Sequence, residues 1–342
     1  MRLMDVLASR SIGSCCLFSL TLICMATGSV YAAIPDLLVT DFFNSQVLRY
    51  DGDTGAFIEV FASNNGMDSP LGLALGPDDN LYASGGTSSS VLRFDGLTGS
   101  FMDTFASGGG LLVPSGMLFD QNQDLLVGGL LSDAIYRYDG NTGNFIDTFA
   151  VGGGLDRPFD LVHGPDGNLF VSSTNTNSIL RYDGQSGAFL DVFAIGSGMD
   201  SPQGLVFGPD GNLYISNGNG GNILRYSGQT GAFIDVFASG GGLSLSRGLV
   251  FGPDGNLYVS SSGTDSILRY DGQTGTFIDA FVAPGSGGLR VPEFLTFIPE
   301  PSTAILSILG IFLLSRRRHR SVRRGMGRVV GRPNGLEVRS SS

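Results

Sequence analysis

Along most of the chain, short apolar runs of four to six residues alternate with clusters of Gly, Pro, Asp, Asn and Ser. One stretch reads Gly204-Leu-Val-Phe207, Gly208-Pro-Asp-Gly-Asn212, Leu213-Tyr-Ile-Ser216, a polar loop, Ile223-Leu-Arg-Tyr226, Ser227-Gly-Gln-Thr-Gly231 and Phe233-Ile-Asp-Val-Phe237. Runs this short, rich in β-branched and aromatic residues and bounded by turn formers, predict strands rather than helices. The stretch therefore holds four strands, A to D. In the Gly-Pro-Asp-Gly turn between A and B, Pro presets φ and Gly accepts a positive φ.

The pattern repeats. Its arginine falls at Arg49, Arg93, Arg137, Arg181, Arg225 and Arg269, always 44 residues apart. An acid keeps the same register at Glu59, Asp103, Asp147, Asp191, Asp235 and Asp279. A period of about 40–50 residues with β composition is the range of propeller blades. The repeat starts on a B strand, Leu37-Leu-Val-Thr40, and ends on Leu289–Phe297, which matches the A strand at Leu111–Phe119. The expected fold is all-β: a six-bladed β-propeller over residues 34–298. A C-terminal strand completes the first blade, and closure hides sheet edges that would otherwise template aggregation. An open β-solenoid is the alternative, and the displaced A strand argues against it.

Composition adds three points. The 53 Gly accompany 24 Phe, so the glycines mark turns and not disorder. All three cysteines lie at positions 15, 16 and 24, so a chain lacking its leader has no thiol. The net charge of −11 combines a body, residues 34–298, with 9 Arg against 28 Asp and Glu, and an end, residues 316–342, with 9 Arg against one Glu. Such an acidic body excludes a nucleic-acid binder held by phosphate contacts.

The ends read as addresses. Residues 1–33 carry Arg2 and Arg10, an apolar run and the small residues Ala32 and Ala33, the order of a secretory signal peptide. At the other end come Pro299-Glu300-Pro301, an apolar run from Thr303 to Leu314, and the cluster Arg316, Arg317, Arg318. The run inserts in a membrane and the arginines stay cytoplasmic under the positive-inside rule, giving transient retention. Residues 299–320 resemble the PEP-CTERM sorting signal of Gram-negative bacteria. That resemblance implies export through the inner membrane, handling by an exosortase-type machinery, and delivery to the cell surface or extracellular matrix. Residues 321–342 form a basic tail of low apolar content, expected to be disordered.

The repeat itself resembles NHL-type units and the streptogramin-lyase and gluconolactonase-like propellers, through Pro-x-Gly-Leu-x-Phe, Gly-Pro-Asp-Gly-Asn-Leu-Tyr-Val and Ile-Leu-Arg-Tyr. The resemblance implies the fold more than an activity, since propellers host unrelated functions. Two readings follow. One is an exported binding or scaffold module for exopolysaccharide or surface proteins. The other is a metal-dependent lactonase or lyase with a divalent metal in the central channel.

Candidate residues are those that break the repeat. The A–B and C–D turns share one face and hardly vary, apart from Asp51-Gly52-Asp53, for which a calcium loop is the alternative to a plain turn. The B–C and D–A loops share the other face, vary, and are rich in Ser, Thr, Asn and Gly, which suits hydroxylated ligands. Around the channel mouth on that face the candidates are Asp41, Asp160, Gln203, Asn217, Arg247 and Glu293. The resemblance to metal-binding lactonases implies Asp160 and Glu293 as metal ligands in the second reading. His163 occupies the slot of Phe119, Phe207 and Phe251, on the turn side, and is expected to be a packing residue and not a general base. No Ser-His-Asp set, phosphate loop or Cys/His metal spacing is present.

Overall fold

The computed structural model describes residues 34–63 and 65–298; the expected signal peptide (1–33), sorting signal (299–320) and disordered tail (321–342) fall outside the described residues. Blade 1 begins with β1 (Leu37–Asp41), β2 (Gln46–Tyr50) and β3 (Phe57–Ser63). Blade 2 is β4 (Leu73–Leu75), β5 (Leu81–Gly85), β6 (Ser90–Phe94) and β7 (Phe101–Ser107). Blade 3 is β8 (Pro114–Phe119), β9 (Leu125–Gly129), β10 (Ala134–Tyr138) and β11 (Phe145–Val151). Blade 4 is β12 (Pro158–His163), β13 (Leu169–Ser173), β14 (Ser178–Tyr182) and β15 (Phe189–Ile195). Blade 5 is β16 (Pro202–Phe207), β17 (Leu213–Asn217), β18 (Asn222–Tyr226) and β19 (Phe233–Ser239). Blade 6 is β20 (Ser246–Phe251), β21 (Leu257–Ser261), β22 (Ser266–Tyr270) and β23 (Phe277–Val282). After a one-turn 3-10 segment at Ser286–Gly288, β24 (Pro292–Phe297) returns to blade 1. The sheet order there is β24-β1-β2-β3, with Leu37 opposite Phe297 and Asp41 opposite Pro292. The ring closes as the repeat predicts.

The core lies between blades. In four blades the second residue of the B strand supplies a ring that meets two others edge-on, while Leu38 and Leu126 hold that position in blades 1 and 3. Tyr214 lies 4.8 Å from Phe237 of its own blade and 5.1 Å from Phe251 of the next; Tyr258 repeats this with Phe281 at 4.9 Å and Phe297 at 5.1 Å. Such T-shaped pairs contribute about 0.5–1.5 kcal/mol beyond the area they bury. In every blade but the second, where Phe94 takes the place, a C-strand tyrosine stitches the blade to the loop before it. Tyr182 donates to the Gly152 carbonyl at 2.8 Å and Tyr270 to that of Gly240 at 2.9 Å. One glycine per repeat is obligatory. Gly143, at φ 70°, ends a C–D turn, and a Cβ there would sit 1.7 Å from the Phe105 carbonyl oxygen of the preceding blade.

The repeated Arg and acid stand directly opposite each other on strands C and D in all six blades, as with Arg225 and Asp235. In five blades the pair is bidentate; for Arg225 the two bonds measure 3.1 and 2.6 Å. In blade 1, Arg49 turns instead to Asp36 at 2.7 Å and meets Glu59 at 3.3 Å. The guanidinium also lies over the D-strand ring, 5.0 Å from the centroid of Phe237 for Arg225. Asp235 is half exposed, so we expect Asp235→Ala to cost no more than about 1 kcal/mol. Arg225→Ala should cost more, because it also strips the cover from Phe237. The double variant should be no worse than Arg225→Ala alone; strict additivity in urea melts would show that the two residues do not interact.

The calcium alternative at Asp51-Gly52-Asp53 meets carboxylates already engaged. Asp51 Oδ1 accepts from Thr54 through its amide at 2.8 Å and its hydroxyl at 2.6 Å, and Asp53 Oδ1 accepts from the Ile34 amide at 3.2 Å. The Asp51 bonds close the turn and recur at Asp139 and Asp271.

Candidate functional site

The A strands line the channel, and all but β4 carry a bulge after the first residue, for example between Pro202 and Leu205. The bulge frees a backbone amide from the ladder. A B-strand hydroxyl takes it up: Ser216 Oγ accepts from the Gly204 amide at 2.8 Å, Ser172 Oγ from Asp160 at 2.9 Å and Thr40 Oγ1 from Phe294 at 2.8 Å. Ser216, Ser172 and Thr40 are therefore framework.

At the variable-loop end, the second positions of the A strands form a ring of two halves. Leu71, Ser115 and Phe159 make one half, and Gln203, Arg247 and Glu293 the other. The first half is closed: Ser115 Oγ donates at 2.7 Å to the Pro158 carbonyl, and Phe159 stacks on Phe294 with centroids 5.6 Å apart. The second half is under-bonded. Among the described residues, seven buried side-chain polar atoms make no hydrogen bond, and five sit here: Gln203 Oε1, Ser246 Oγ, Arg247 Nε, Ser260 Oγ and Glu293 Oε2. The other two are the ring nitrogens of His163, at the far end of β12. Buried polar groups are normally satisfied, so a cluster of unsatisfied ones marks a place built for something else to complete.

Arg247 Nε and Glu293 Oε2 face each other across 3.6 Å, too far for a hydrogen bond and close enough for an ion pair. Glu293 is only 3% exposed, and burial pushes its carboxyl up to about 7, with the Arg247 charge working the other way. The guanidinium of Arg247 also lies 5.8 Å from the centroid of Phe159.

Asp160 stands one position further along, where most blades have glycine. Its two oxygens accept from the amides of Leu161 and, in the next blade, Leu205, both at 2.8 Å. Burial again pushes the carboxyl up to about 7, against these two bonds. Asp160 therefore joins blade 4 to blade 5 instead of pointing at Glu293. Among the described residues no three His, Cys, Asp or Glu side chains gather as metal ligands.

Asp41 and Asn217, at the ends of their B strands, are absorbed by their own loops. Asp41 accepts from Asn44 through its amide at 3.1 Å and its side chain at 2.8 Å, and from Gln46 at 3.0 Å. Asn217 accepts from the Asp200 amide at 2.6 Å and donates to Gly198 and Asn222 at 3.0 and 2.9 Å. Of the six candidates the structure thus gathers Gln203, Arg247 and Glu293.

No family model and no curated protein matches the chain. Solved structures do. One from a nidogen/laminin complex aligns with a TM-score of 0.63 and 19% identity, over 77% of this chain and 98% of that one. A protein of unknown function from Bacteroides caccae gives 0.61 and 14%, over 78% and 100%. A catalytically inactive virginiamycin B lyase from Staphylococcus aureus, crystallised with quinupristin, gives 0.56 and 16%, over 79% and 94%. What they share with this chain is the β-propeller. The neighbours include a lyase and a member of a protein complex, so the fold by itself does not choose between chemistry and binding.

Sequence reading missed two features. Ser246 stands where the other blades have proline and Ser260 looks like any other repeat serine, and only the structure shows both without partners. A cleft of about 610 Å³ also opens on the turn face between blades 3 and 4, lined by Asp120, Asn122, Asp166, Asn168, Asp183 and Gln185. Its signal was visible: blade 3 reads Asp120-Gln-Asn-Gln-Asp124 where blades 4, 5 and 6 read Gly-Pro-Asp-Gly-Asn. Within that turn, burial and the nearby Asp120 charge raise the Asp124 carboxyl above its ordinary range.

Proposed function

We propose that this chain is an exported propeller that binds hydroxylated matter, such as exopolysaccharide, at the variable-loop mouth of its channel, without turning it over. The observation that carries the reading is the row Gln203, Arg247 and Glu293 with its unpaired buried atoms. A hydroxyl seated between Arg247 and Glu293 accepts from the Nε–H and donates to Oε2. Another donates to Gln203 Oε1. Around this floor the loops supply more short polar side chains, among them Thr174, Asn175 and Asn219. A lyase or lactonase needs a base or a metal at this end. Among the described residues the single histidine lies at the other end of β12, the Asp160 oxygens are engaged with backbone amides, and Glu293, the remaining carboxyl, faces the Arg247 guanidinium at 3.6 Å. The secretory-signal pattern of residues 1–33 and the sorting-signal resemblance of residues 299–320 support binding outside the inner membrane, with an exosortase-type machinery as the expected handler and polysaccharide or surface proteins as partners.

The test is a polysaccharide and glycan panel probed with residues 34–298. Arg247→Ala/Glu293→Ala removes both charges and leaves neither buried alone. We expect the parent to bind at least one hydroxylated polymer and the double variant, shown folded by its melting curve, to bind it at least tenfold more weakly. Unchanged binding in the double variant, or silence of the parent across the panel, sinks the proposal.

A further inference from the structure

The two ends of the propeller leave from the same face. β24 runs from Pro292, beside the end of β1, to Phe297, beside the start of β1, so it finishes on the side of the A–B and C–D turns. The Ile298 amide then donates to the Asp36 carbonyl at 2.9 Å, and the Ile34 amide donates to Asp53 of a C–D turn at 3.2 Å. The turn face is also distinctive in charge. Its eleven A–B and C–D turns contain thirteen Asp and no Arg, Lys or His.

Only four residues separate Ile298 from the apolar run that starts at Thr303. An extended chain covers at most about 3.3–3.6 Å per residue, so this link is shorter than about 20 Å. It cannot reach round the disc to the opposite face. We propose that the membrane-held form displays the propeller in one orientation, with the acidic turn face against the lipid surface and the variable-loop mouth directed away from it. The turns lack cations that would attract anionic lipid headgroups. The face is therefore held near the bilayer by the tether alone, and a propeller cut free of it leaves the surface. The inference rests on the retention proposed above for residues 299–320.

With no cysteine after position 24, single thiols report the orientation. Leu131→Cys marks the loop face, where Leu131 is 55% exposed, and Gln185→Cys marks an exposed C–D turn. Each full-length variant is treated with a maleimide on a 5 kDa polymer, a probe of about that size being too bulky for a gap narrower than the ~20 Å link. Labelling is followed in membranes with the outward side accessible and again after detergent extraction. Leu131→Cys should react at the same rate in both, and Gln185→Cys at least fivefold more slowly in membranes. Equal rates for Gln185→Cys, or protection of Leu131→Cys, overturn the orientation while leaving retention standing. If the full chain does not sediment with membranes, retention itself is wrong and the orientation falls with it.

Discussion

A chain stopped after Leu289 is expected to lose its cooperative unfolding transition. Among the described residues β24 is the only strand that crosses between the chain ends, and without it β1 becomes an open edge. Every residue of β1 is buried. The truncation removes Phe294, Leu295 and Ile298, all below 9% exposure, together with Phe297, whose ring meets Tyr258 at 5.1 Å. At about 1.5–3 kcal/mol for each such side chain, the loss is comparable with the whole stability of an ordinary domain. Opening the ring also unseals the boundary between blades 6 and 1, where Leu37, Val39 and Leu289 are packed. Calorimetry should show a broad, weak transition, and gel filtration should show self-association through the exposed edge. A full-length Leu295→Ala control should melt cooperatively with a cost of about 2–5 kcal/mol. A truncated chain that melted as sharply as the parent, within a few degrees, would show that closure contributes little.

The second large effect is on pH. Asp160 and Glu293 are both buried, and both carboxyls are pushed up to about 7. In the unfolded chain they titrate near 4. Between these values the folded protein holds protons that the unfolded chain has released, so stability falls as pH rises. The contribution is fully present below about pH 4 and is lost by the time pH has passed about 7. At roughly 1.4 kcal/mol for each pH unit between folded and unfolded values, the two groups together account for several kcal/mol as a ceiling. The turn aspartates act in the opposite sense and lower down. Thr142 and Thr274 hydrogen bonds hold the Asp139 and Asp271 carboxyls below their ordinary range, so their contribution fades only under about pH 4. Urea melts should therefore give greatest stability near pH 4–5 and a decline to pH 8. Asp160→Asn/Glu293→Gln should flatten that decline, although Asp160→Asn also weakens the bonds to the Leu161 and Leu205 amides. Equal stability of the parent at pH 5 and pH 8 would mean that neither carboxyl is held protonated.

The fold was legible in the sequence because the repeat prints each constraint six times. The spacing of Arg225 and Asp235 around a fixed turn sets their register, and the displaced strand at Leu289–Phe297 announces the closure. The site was legible only in part. A polar residue at the end of a strand, such as Asp41 or Asn217, is equally suited to hold a ligand or its own loop, and residue type does not record which amides lack a partner. That depends on the bulge after Pro202 and its equivalents, which a strand pattern does not reveal. Ser216 and Ser260 occupy the same repeat position, yet the first is bonded to Gly204 and the second is not. Gln203, Arg247 and Glu293 could be picked out because a repeated position turned polar in three consecutive blades. The cleft at Asp120–Asp124 escaped attention because its face is otherwise so uniform.

Closure through β24 also sets a timetable. The pairing of Leu37 with Phe297 joins residues at opposite ends of the folded unit, a contact of very high sequence separation that forms late. Blades 2 to 6 are contiguous in the chain and can assemble as they emerge, whereas blade 1 waits as a three-stranded sheet with an open edge. If the chain crosses a membrane amino-terminus first, its last strand arrives just ahead of the apolar run at Thr303. Arrest at that run would hold the unfinished ring at low local concentration and away from its copies until the final strand docks. Retention would then serve as a folding station as well as an address.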